Sequence, residues 1–407
     1  MTRVLLLVPT ETYRASDFLA AAGRAGVEVV VGSEHRQAMA ASVGDGAIVV
    51  PMGDLDTAVE VIAALHHRRP LDAVLAVDDQ GLMVAAAAAQ RLGMAHNPPD
   101  AVAATRDKAA MRRRLSTTTV CQPDHRVVEA GERVAPAAED IGFPCVVKPV
   151  SRSGSQGVIR IDDSAQAWDA EDRVRRIVGP FEPLVVEAFI AGPEVAVEGL
   201  LRSGVLQVLA VFDKPDPLDG PFFKETIYVT PSRHPGPVLA AVEAAVASAA
   251  GALGLREGPV HAELRIASDR GPTLLEIAAR SIGGLCARAL DFGVGVSLEE
   301  LIIGQAVGTD PGPHQRPREA SGVMMLPIRA AGILQSVSGQ SEARAVEGVI
   351  GLEITIPTGR PVLPLPEGGR YLGFLFARGP QPADVVRALR RAEAMLHFVI
   401  QPDDHRR

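Results

Sequence analysis

The segment Pro259–Gly283 constrains the fold most strongly, because it has the pattern of two β-strands joined by a turn. Apolar and polar residues alternate in both halves, which gives each strand one apolar face and one charged face. The five residues Ser268-Asp269-Arg270-Gly271-Pro272 between the halves have the composition of a turn. A hairpin that is symmetric about Asp269-Arg270 places Glu263 directly opposite Glu276. The same register gives three further pairs: His261 with Ala278, Ala262 with Ile277, and Leu264 with Leu275.

Glu263 and Glu276 need a cation or a shared proton if they face each other in this hairpin. Opposed residues on paired strands have Cβ atoms about 5 Å apart, and like charges at that distance destabilise the pair. Carboxylate oxygens are hard ligands that suit Mg²⁺, which completes its coordination shell with water and phosphate oxygens. The alternative is that both glutamates lie on an open, solvated sheet face and form salt bridges with Arg265 or Arg280.

The first hundred residues alternate between strand-like and helix-like segments. The apolar, strand-like segments are Arg3–Pro9, Val27–Val31, Ala47–Val50 and Leu71–Val77. The segments with helical periodicity are Tyr13–Ala25, Asp56–His66 and Gly81–Leu92. This alternation predicts a parallel α/β sheet. A GxGxxG sequence after the first strand and a GxxxxGK[ST] sequence are both absent, so neither a dinucleotide-binding dehydrogenase nor a Walker-type NTPase is supported.

The remainder of the chain mixes strands and helices. A helix is predicted near Asp100 that carries Arg106-Asp107-Lys108, and the segment Gly142–Ser164 has the pattern strand, Gly/Ser-rich loop, strand. Further predicted elements are a strand at Leu184–Glu187, a helix at Pro237–Leu253, a proline-rich linker at Thr309–Pro317, and a closing helix at Pro382–His397 that follows several strands.

The composition excludes several classes of protein. A formal net charge of −8 gives no general basic field, which argues against a nucleic-acid partner. The apolar runs are too short to span a membrane, and the charged residues after Met1–Val8 argue against a signal peptide. The three cysteines lack metal-ligand spacing, so a reduced, cytoplasmic protein is expected. The basic run Arg112-Arg113-Arg114 is interpreted as a solvated helix face.

Lys148 ends an apolar strand immediately before the Gly/Ser-rich loop Ser151–Gly157. Such a loop can direct backbone N–H groups toward phosphate oxygens, and Lys148 would add a positive charge. The segment Glu187–Ile190 could present backbone groups to an adenine ring, and Glu194 could accept hydrogen bonds from ribose hydroxyls. Each element also has a structural interpretation, with the loop as a plain hairpin turn and each glutamate as a surface residue.

Taken in order, these residues resemble the ATP-grasp superfamily. The resemblance rests on Lys108, Lys148-Pro149, Ser153-Gly154-Ser155-x-Gly157, Glu187–Glu194, Glu263 and Glu276-x-x-x-Arg280. It implies that Glu263 and Glu276 bind Mg²⁺ and that residues earlier in the chain bind ATP. The implied ATP-binding residues are Lys108, Lys148, Ser153, Gly154, Ser155, Gly157, Glu187, Ala188, Phe189, Ile190 and, at the ribose, Glu194.

The resemblance also implies an architecture of the α/β class. We expect an N-terminal parallel α/β domain over residues 1–96 and an ATP-grasp domain of two α+β subdomains over residues 97–316. A mobile lid over the ATP would span about residues 118–188, and a β-rich C-terminal α+β domain would span residues 317–407. By analogy with relatives, a homodimer is compatible with the sequence.

Within the superfamily the chain is most similar to the L-amino acid ligases. The similarity lies in Phe212–Thr230, in Arg280-Ser281-Ile282-Gly283-Gly284, and in the terminal domain from about Ser321. It implies ATP-dependent joining of a small-molecule carboxylate to an amine through an acyl phosphate, with release of ADP and phosphate. Arg280 would hold the substrate carboxylate, or the oxyanion that forms when the amine attacks.

Several points stay open at this level. Many ATP-grasp enzymes have Asn two residues after the second metal carboxylate, where this chain has Ala278, so water replaces that ligand or only one metal binds tightly. His261 is a candidate base for the amine, His234 is a weaker one, and Lys214 and Lys224 either contact phosphate or substrate or lie on the surface. The alternative functions are a purine-biosynthetic or carboxylase-like ATP-grasp ligase and a non-catalytic nucleotide-binding module.

Overall fold

The chain begins with a parallel sheet in a computed structural model that describes residues 2–10, 12–35, 46–292, 295–309 and 319–402. Its strands are β1 (Arg3–Leu7), β2 (Glu28–Ser33), β3 (Ala47–Val49) and β4 (Ala73–Ala76). They are all parallel and lie in the order β3-β2-β1-β4. The helices of this domain are α1 (Ala15–Arg24), α2 (Leu55–Arg68) and α3 (Leu82–Leu92). The predicted parallel α/β domain is therefore confirmed.

The loop after the carboxyl end of β4 carries two acidic residues, Asp78 and Asp79. A short 3₁₀ helix, Asp79–Gly81, follows β4 and is capped by the Asp78 side chain, which accepts a hydrogen bond from the Asp79 backbone N–H at 2.8 Å. Loops at the carboxyl ends of parallel strands commonly carry binding residues. Asp78 and Asp79 occupy such a position here.

Two helices, and not the single helix expected near Asp100, lead out of the N-terminal domain. They are α4 (Pro99–Arg106) and α5 (Lys108–Leu115). Asp107 separates them because its backbone is extended and its side chain accepts a hydrogen bond from the Ala110 N–H, which makes it the N-cap of α5. Lys108 consequently begins a new helix.

A small antiparallel sheet comes next. Its strands are β5 (His125–Val128), β6 (Cys145–Pro149), β7 (Ile159–Ile161) and β8 (Leu184–Ala188), in the order β5-β8-β6-β7. The helices α6 (Val134–Ile141) and α7 (Ser164–Val178) pack on it through a shared apolar cluster. The Gly/Ser-rich loop is the connection between β6 and β7.

An eight-stranded sheet forms the centre of the molecule and continues into the C-terminal part. The remaining strands in chain order are β9 (Glu194–Arg202), β10 (Val205–Lys214), β11 (Ile227–Thr230), β12 (Gly258–Ala267), β13 (Gly271–Ala278), β14 (Ala320–Leu326), β15 (Gly332–Ser338), β16 (Val349–Ile354), β17 (Pro361–Val362), β18 (Gly373–Gly379) and β19 (His397–Gln401). The large sheet has the order β13-β12-β9-β10-β11-β14-β18-β16, and the sheet β17-β15-β19 is separate. Since β11 pairs with β14, strands on both sides of the predicted boundary at residue 317 share one sheet.

The remaining helices are α8 (Gly236–Leu253), α9 (Leu298–Ala306), α10 (Gln340–Arg344) and α11 (Pro382–Glu393). The closing helix was expected to reach His397, but it ends at Glu393 because His397 begins β19, which pairs with β15. Most of the predicted proline-rich linker, from residue 310 onward, lies outside the described residues.

Among the described residues, α8 is the one helix long and apolar enough to cross a membrane by length and composition. It is rich in alanine, and Val242, Val246 and Leu253 on its inner side belong to the apolar cluster beneath β12 and β13. The helix therefore packs as part of this fold.

Candidate functional site

The predicted site residues, with the exception of Gly157, line one cavity of about 400 Å³. The small sheet supplies Lys148 and Glu187, and the large sheet supplies Glu263 and Glu276. The N-terminal domain and the C-terminal strands complete the wall. The cavity thus collects side chains from parts of the sequence that are far apart.

The hairpin β12–β13 places Glu263 directly opposite Glu276, as the symmetry of the sequence predicted. The pairs His261 with Ala278 and Ala262 with Ile277 are also confirmed. The expected pair of Leu264 with Leu275 is wrong, because Leu264 pairs with Leu274 across a β-bulge. The extra residue is Leu275, which lines the cavity. Bulges redirect side chains next to functional sites, and no local pattern in the sequence marks this one.

Each carboxylate of the pair has a lysine beside it. Lys108 Nζ lies 3.3 Å from Glu276 Oε2, and Lys214 Nζ lies 3.1 Å from Glu263 Oε1. The alternative with Arg265 or Arg280 as partners is wrong, since Arg265 binds Glu194 and Arg280 binds Asp79. The two side chains are 24% and 29% exposed and face the cavity, so they do not lie on an open sheet face.

Lys214 is the centre of a buried cluster that also includes a glutamate that the sequence analysis missed. Its ammonium lies 2.6 Å from Glu194 and 2.7 Å from Glu225, in addition to Glu263. Burial by itself lowers the pKa of Lys214, but the three carboxylates outweigh it and raise the pKa well above the usual value. Carboxylate oxygens of Glu194, Glu225 and Glu263 lie within 4.8 Å of one another, close enough to share one cation. Lys214 is 3% exposed, so the alternative of a surface position is wrong for it, whereas Lys224 is exposed.

His261 lies between two glutamates. Its Nδ1 is 3.1 Å from Glu198 Oε2 and its Nε2 is 3.6 Å from Glu263 Oε1. Burial alone lowers the pKa of His261, but hydrogen bonds to these carboxylates raise it to about 9. An imidazolium at neutral pH cannot accept a proton, so this geometry gives no support to the predicted role as a base. It places His261 as a positive charge that holds Glu198 and Glu263.

Arg112 corrects the interpretation of the basic run as a solvated face. Its side chain is 0% exposed and binds Glu187 through two hydrogen bonds of 2.7 and 3.1 Å, while Arg113 in the same run is exposed. Lys148 Nζ lies 2.6 Å from the same carboxylate. Two cations, Arg112 and Lys148, therefore hold the buried carboxylate of Glu187. Glu187 directly precedes Ala188–Ile190, with which it was predicted to bind adenine.

Because Glu187 is ionised in the folded protein, we expect part of the free energy of unfolding to be lost in acid. Burial raises the pKa of Glu187, but Arg112 and Lys148 outweigh this and hold it at about 2 against an ordinary value of 4.5. A carboxyl group whose pKa is lower in the folded state than in the unfolded state stabilises the protein at pH values above its unfolded-state pKa. This stabilisation is lost as the pH falls toward its folded-state pKa. Between pH 6 and pH 3 we expect a loss of about 2 kcal/mol from this group.

Urea denaturation of the wild type and of Glu187→Gln from pH 6 to pH 3 measures this contribution. The variant has no carboxylate to protonate at this position, so the difference in stability between the two proteins should shrink as the solution becomes more acidic. A difference that stays constant over this range would contradict the assignment.

The loop between β6 and β7 supplies the predicted phosphate-binding residues Ser153, Gly154 and Ser155 to the cavity. Gly154 and Ser155 have positive φ values of 62° and 56°, which turns the backbone tightly at the cavity mouth. Gly157 lies outside the cavity. Its N–H donates to the carbonyl of Pro366 at 2.9 Å, and a Cβ there would lie 3.1 Å from the Pro149 ring.

The linker Ala188–Ile190 lines the cavity, and so do several apolar side chains. These include Val146, Val158, Leu218, Phe223 and Leu275. The ring of Phe189 has Arg160 at 4.3 Å on its face and Arg265 at 4.9 Å. Glu194, predicted at the ribose, lines this region and is bound to Lys214 and Arg265.

Arg280 also lines the cavity. Its Nε donates to Asp79 Oδ1 at 2.6 Å, and Asp78, Tyr13 and Tyr371 are further lining residues. The position of Asp78-Asp79 directly after an apolar strand of a parallel sheet was a usable signal that the sequence analysis overlooked. Tyr13 and Tyr371 come from the two ends of the chain, and no local pattern indicates that they meet.

Three family models match different parts of the chain. The ATP-grasp N-terminal domain matches residues 19–96, the ATP-grasp domain matches residues 141–289, and the L-amino acid ligase C-terminal domain 2 matches residues 324–401. Alanine–anticapsin ligase of Bacillus subtilis strain 168 is 28% identical over 246 residues, which cover 55% of this chain and 52% of that protein. The chain spans between 52% and 63% of the length of the first curated relatives that it matches.

Solved structures show the same fold over the whole length. The L-amino acid ligase from Bacillus licheniformis has a TM-score of 0.82 at 24% identity and covers 98% of this chain and 99% of its own. The N5-carboxyaminoimidazole ribonucleotide synthetase from Thermotoga maritima has a TM-score of 0.74 at 17% identity and covers 98% and 100%. With the domain matches and the shared fold together, the chain belongs to the ATP-grasp superfamily and carries the C-terminal domain of L-amino acid ligases.

Proposed function

We propose that this chain is an ATP-dependent ligase that activates an amino acid carboxylate as an acyl phosphate and couples it to an amine, with release of ADP and phosphate. The observation that carries the proposal is the cavity itself. Within it, Glu263 faces Glu276 beside Lys108, and Lys148 and Arg280 line the same cavity. A carboxylate needs such activation because its own oxygen is a poor leaving group.

The residues at the centre of the cavity fit a divalent cation and a triphosphate. Glu263 and Glu276 offer hard oxygen ligands on adjacent strands. Each now forms an ion pair with a lysine, and a bound cation would take the place of that lysine as the partner of the carboxylate. Mg²⁺ held there would neutralise phosphate charge during transfer. Ala278 contributes no oxygen, so these two glutamates would be the ligands from this hairpin.

The chain's own residues would align the reactants and stabilise charge. Lys108 and Lys148 would bind phosphate oxygens, and the Ser153–Ser155 turn would cover them with backbone N–H groups. Ala188–Ile190 would bind the adenine and Glu194 the ribose. Arg280 would hold the substrate carboxylate with a charge that is fixed at all working pH values. Because an acyl phosphate hydrolyses in water, closure of the loop over the cavity would protect it.

The C-terminal domain favours amino acids as substrates. Its match is to the L-amino acid ligase C-terminal domain, and relatives of this chain are named alanine–anticapsin ligase and D-alanine–D-alanine ligase. Purine-biosynthetic synthetases share the fold alone, at 17% identity or less in the structures from Thermotoga maritima and Aspergillus clavatus. The cytoplasmic location and the homodimer stay predictions.

Release of ADP over a matrix of amino acids and amines, with mass detection of products, tests the proposal. We expect ADP release to require one carboxylate and one amine together, and the product mass to equal their sum less one water. Mixtures that lack the amine serve as controls. ADP release only with bicarbonate or with phosphoribosyl amines would replace this proposal by the carboxylase-like or purine-type alternative, and ATP binding without turnover for any pair would refute it.

A further inference from the structure

The segment 366–371 precedes β18, and its residues Gly369, Arg370 and Tyr371 line the cavity together with Met325 and Phe374 of the C-terminal strands. This segment contacts the lid, because the backbone carbonyl of Glu367 accepts a hydrogen bond from Gln156 Nε2 at 2.8 Å and its carboxylate binds Arg173. On its other side, Arg370 Nε donates to the Tyr13 hydroxyl at 2.9 Å. The segment is therefore held between the lid and the N-terminal domain.

Tyr371, at the end of this segment, has a buried hydroxyl without a hydrogen-bond partner among the described residues. Its ring packs edge-on against Phe374 at 6.1 Å, and its backbone carbonyl accepts a hydrogen bond from Thr355 Oγ1 at 3.1 Å. The side chain is thus fixed in place and lines the cavity. A buried hydroxyl without a partner is unfavourable, and such groups in folded proteins usually meet a ligand or water.

The charged groups around this hydroxyl are already satisfied by one another. Glu225 accepts hydrogen bonds from Lys214 at 2.7 Å and from the Tyr228 hydroxyl at 2.5 Å. Glu263 binds Lys214 and His261. Burial raises the pKa of Tyr371 well above its usual value, so the hydroxyl keeps its proton and remains a donor. The phenol donor therefore lies close enough to Glu225 and Glu263 to feel their charge, and no residue in the described part of the chain accepts a hydrogen bond from it.

We infer that the Tyr371 hydroxyl donates a hydrogen bond to a carboxylate oxygen of the acyl substrate, which rests on the proposed function. A hydrogen-bond acceptor is what this hydroxyl lacks among the described residues, and a substrate carboxylate would supply one. Arg280 lines the same cavity, as do the glutamates that are expected to hold the metal, so a carboxylate bound there would have a guanidinium and a phenol as donors. In this arrangement the C-terminal domain supplies a substrate-binding residue in addition to its packing on the sheet.

Tyr371→Phe tests the inference, because it removes the oxygen and keeps the ring against Phe374. We expect the KM for the carboxylate substrate to rise about tenfold, with the KM for ATP unchanged. The dissociation constant of the carboxylate, measured by calorimetry in the presence of a non-hydrolysable ATP analogue, should rise by the same factor. This binding measurement does not depend on turnover.

Thr355→Val is the matched control, because it also removes one hydroxyl and loosens the Tyr371 backbone without touching the phenol. Its carboxylate affinity should stay within twofold of the wild type. An unchanged affinity in Tyr371→Phe, an equal loss in both variants, or a parallel loss of ATP affinity would each overturn the inference. If the wild type binds carboxylates but releases no ADP with any amine, the proposed function is wrong, and the binding data still test the role of the Tyr371 hydroxyl. If the wild type binds no carboxylate at all, the proposed function and the inference about Tyr371 are both wrong.

Discussion

Replacing Glu276 by glutamine is expected to lower the rate of ADP release at least about 100-fold while the protein stays folded. The amide keeps the size and the hydrogen-bonding oxygen of the side chain but removes the negative charge that faces Glu263 across the hairpin. Without it, a divalent ion would keep one carboxylate ligand in place of two. Lys108, which lies 3.3 Å from Glu276, would also lose its ionic partner.

Glu276 is the better of the two carboxylates for this test. Glu263 contacts Lys214, His261 and Tyr228, so changing it would disturb a buried network as well as a metal site. Glu276 is 29% exposed and forms an ion pair with Lys108. The melting temperature of Glu276→Gln should therefore stay close to that of the wild type.

A metal titration and a control variant make the result specific. Titration with Mn²⁺ in the presence of an ATP analogue, followed by electron paramagnetic resonance, should show weaker metal binding in Glu276→Gln. The control is Glu243→Gln, which changes an exposed glutamate on α8 away from the cavity and should leave both measurements unchanged. Full activity with unchanged Mn²⁺ affinity in Glu276→Gln would remove the centre of the proposed chemistry.

The carboxylate pair could be located from the sequence because a hairpin is a local object. Two alternating strands and a turn of suitable composition fix the register when one face must be buried. The same reasoning failed at Leu264, since a bulge inserts Leu275 into one strand and leaves no compositional trace. The local sequence pattern therefore predicted that Glu263 and Glu276 face each other, but it did not predict the residues that line the cavity around them.

The residues that the sequence analysis missed come from segments that only the fold brings together. Glu225 meets Glu263 through Lys214, and Tyr371 reaches the cavity from a segment almost one hundred residues beyond the hairpin. An isolated glutamate or tyrosine has no spacing that predicts such meetings. Arg112 was misjudged for a related reason, because charge runs on helices are usually solvated and burial depends on what packs above them.

Replacing Arg112 by methionine is expected to destabilise the protein by about 3–5 kcal/mol, since it leaves the Glu187 carboxylate buried with one cation in place of two. Arg112 also donates to the backbone carbonyls of Leu274 at 3.2 Å and Leu275 at 2.7 Å, on the outer edge of β13. It therefore links β8 of the small sheet to the edge strand of the large sheet, on the two sides of the proposed nucleotide site.

Urea denaturation measures this loss, with Arg113→Met as the control, because Arg113 is the exposed neighbour in the same run. The control should change the stability by less than about 0.5 kcal/mol. In the double variant Arg112→Met with Glu187→Gln, position 187 no longer carries a buried charge, but Lys148 loses its carboxylate partner, so we expect only part of the loss to be recovered. Equal effects of Arg112→Met and Arg113→Met would show that the buried ion pair does not hold the two sheets together. Substantial recovery in the double variant would show that most of the cost lies in the unpaired charge of Glu187 and not in the lost hydrogen bonds to β13.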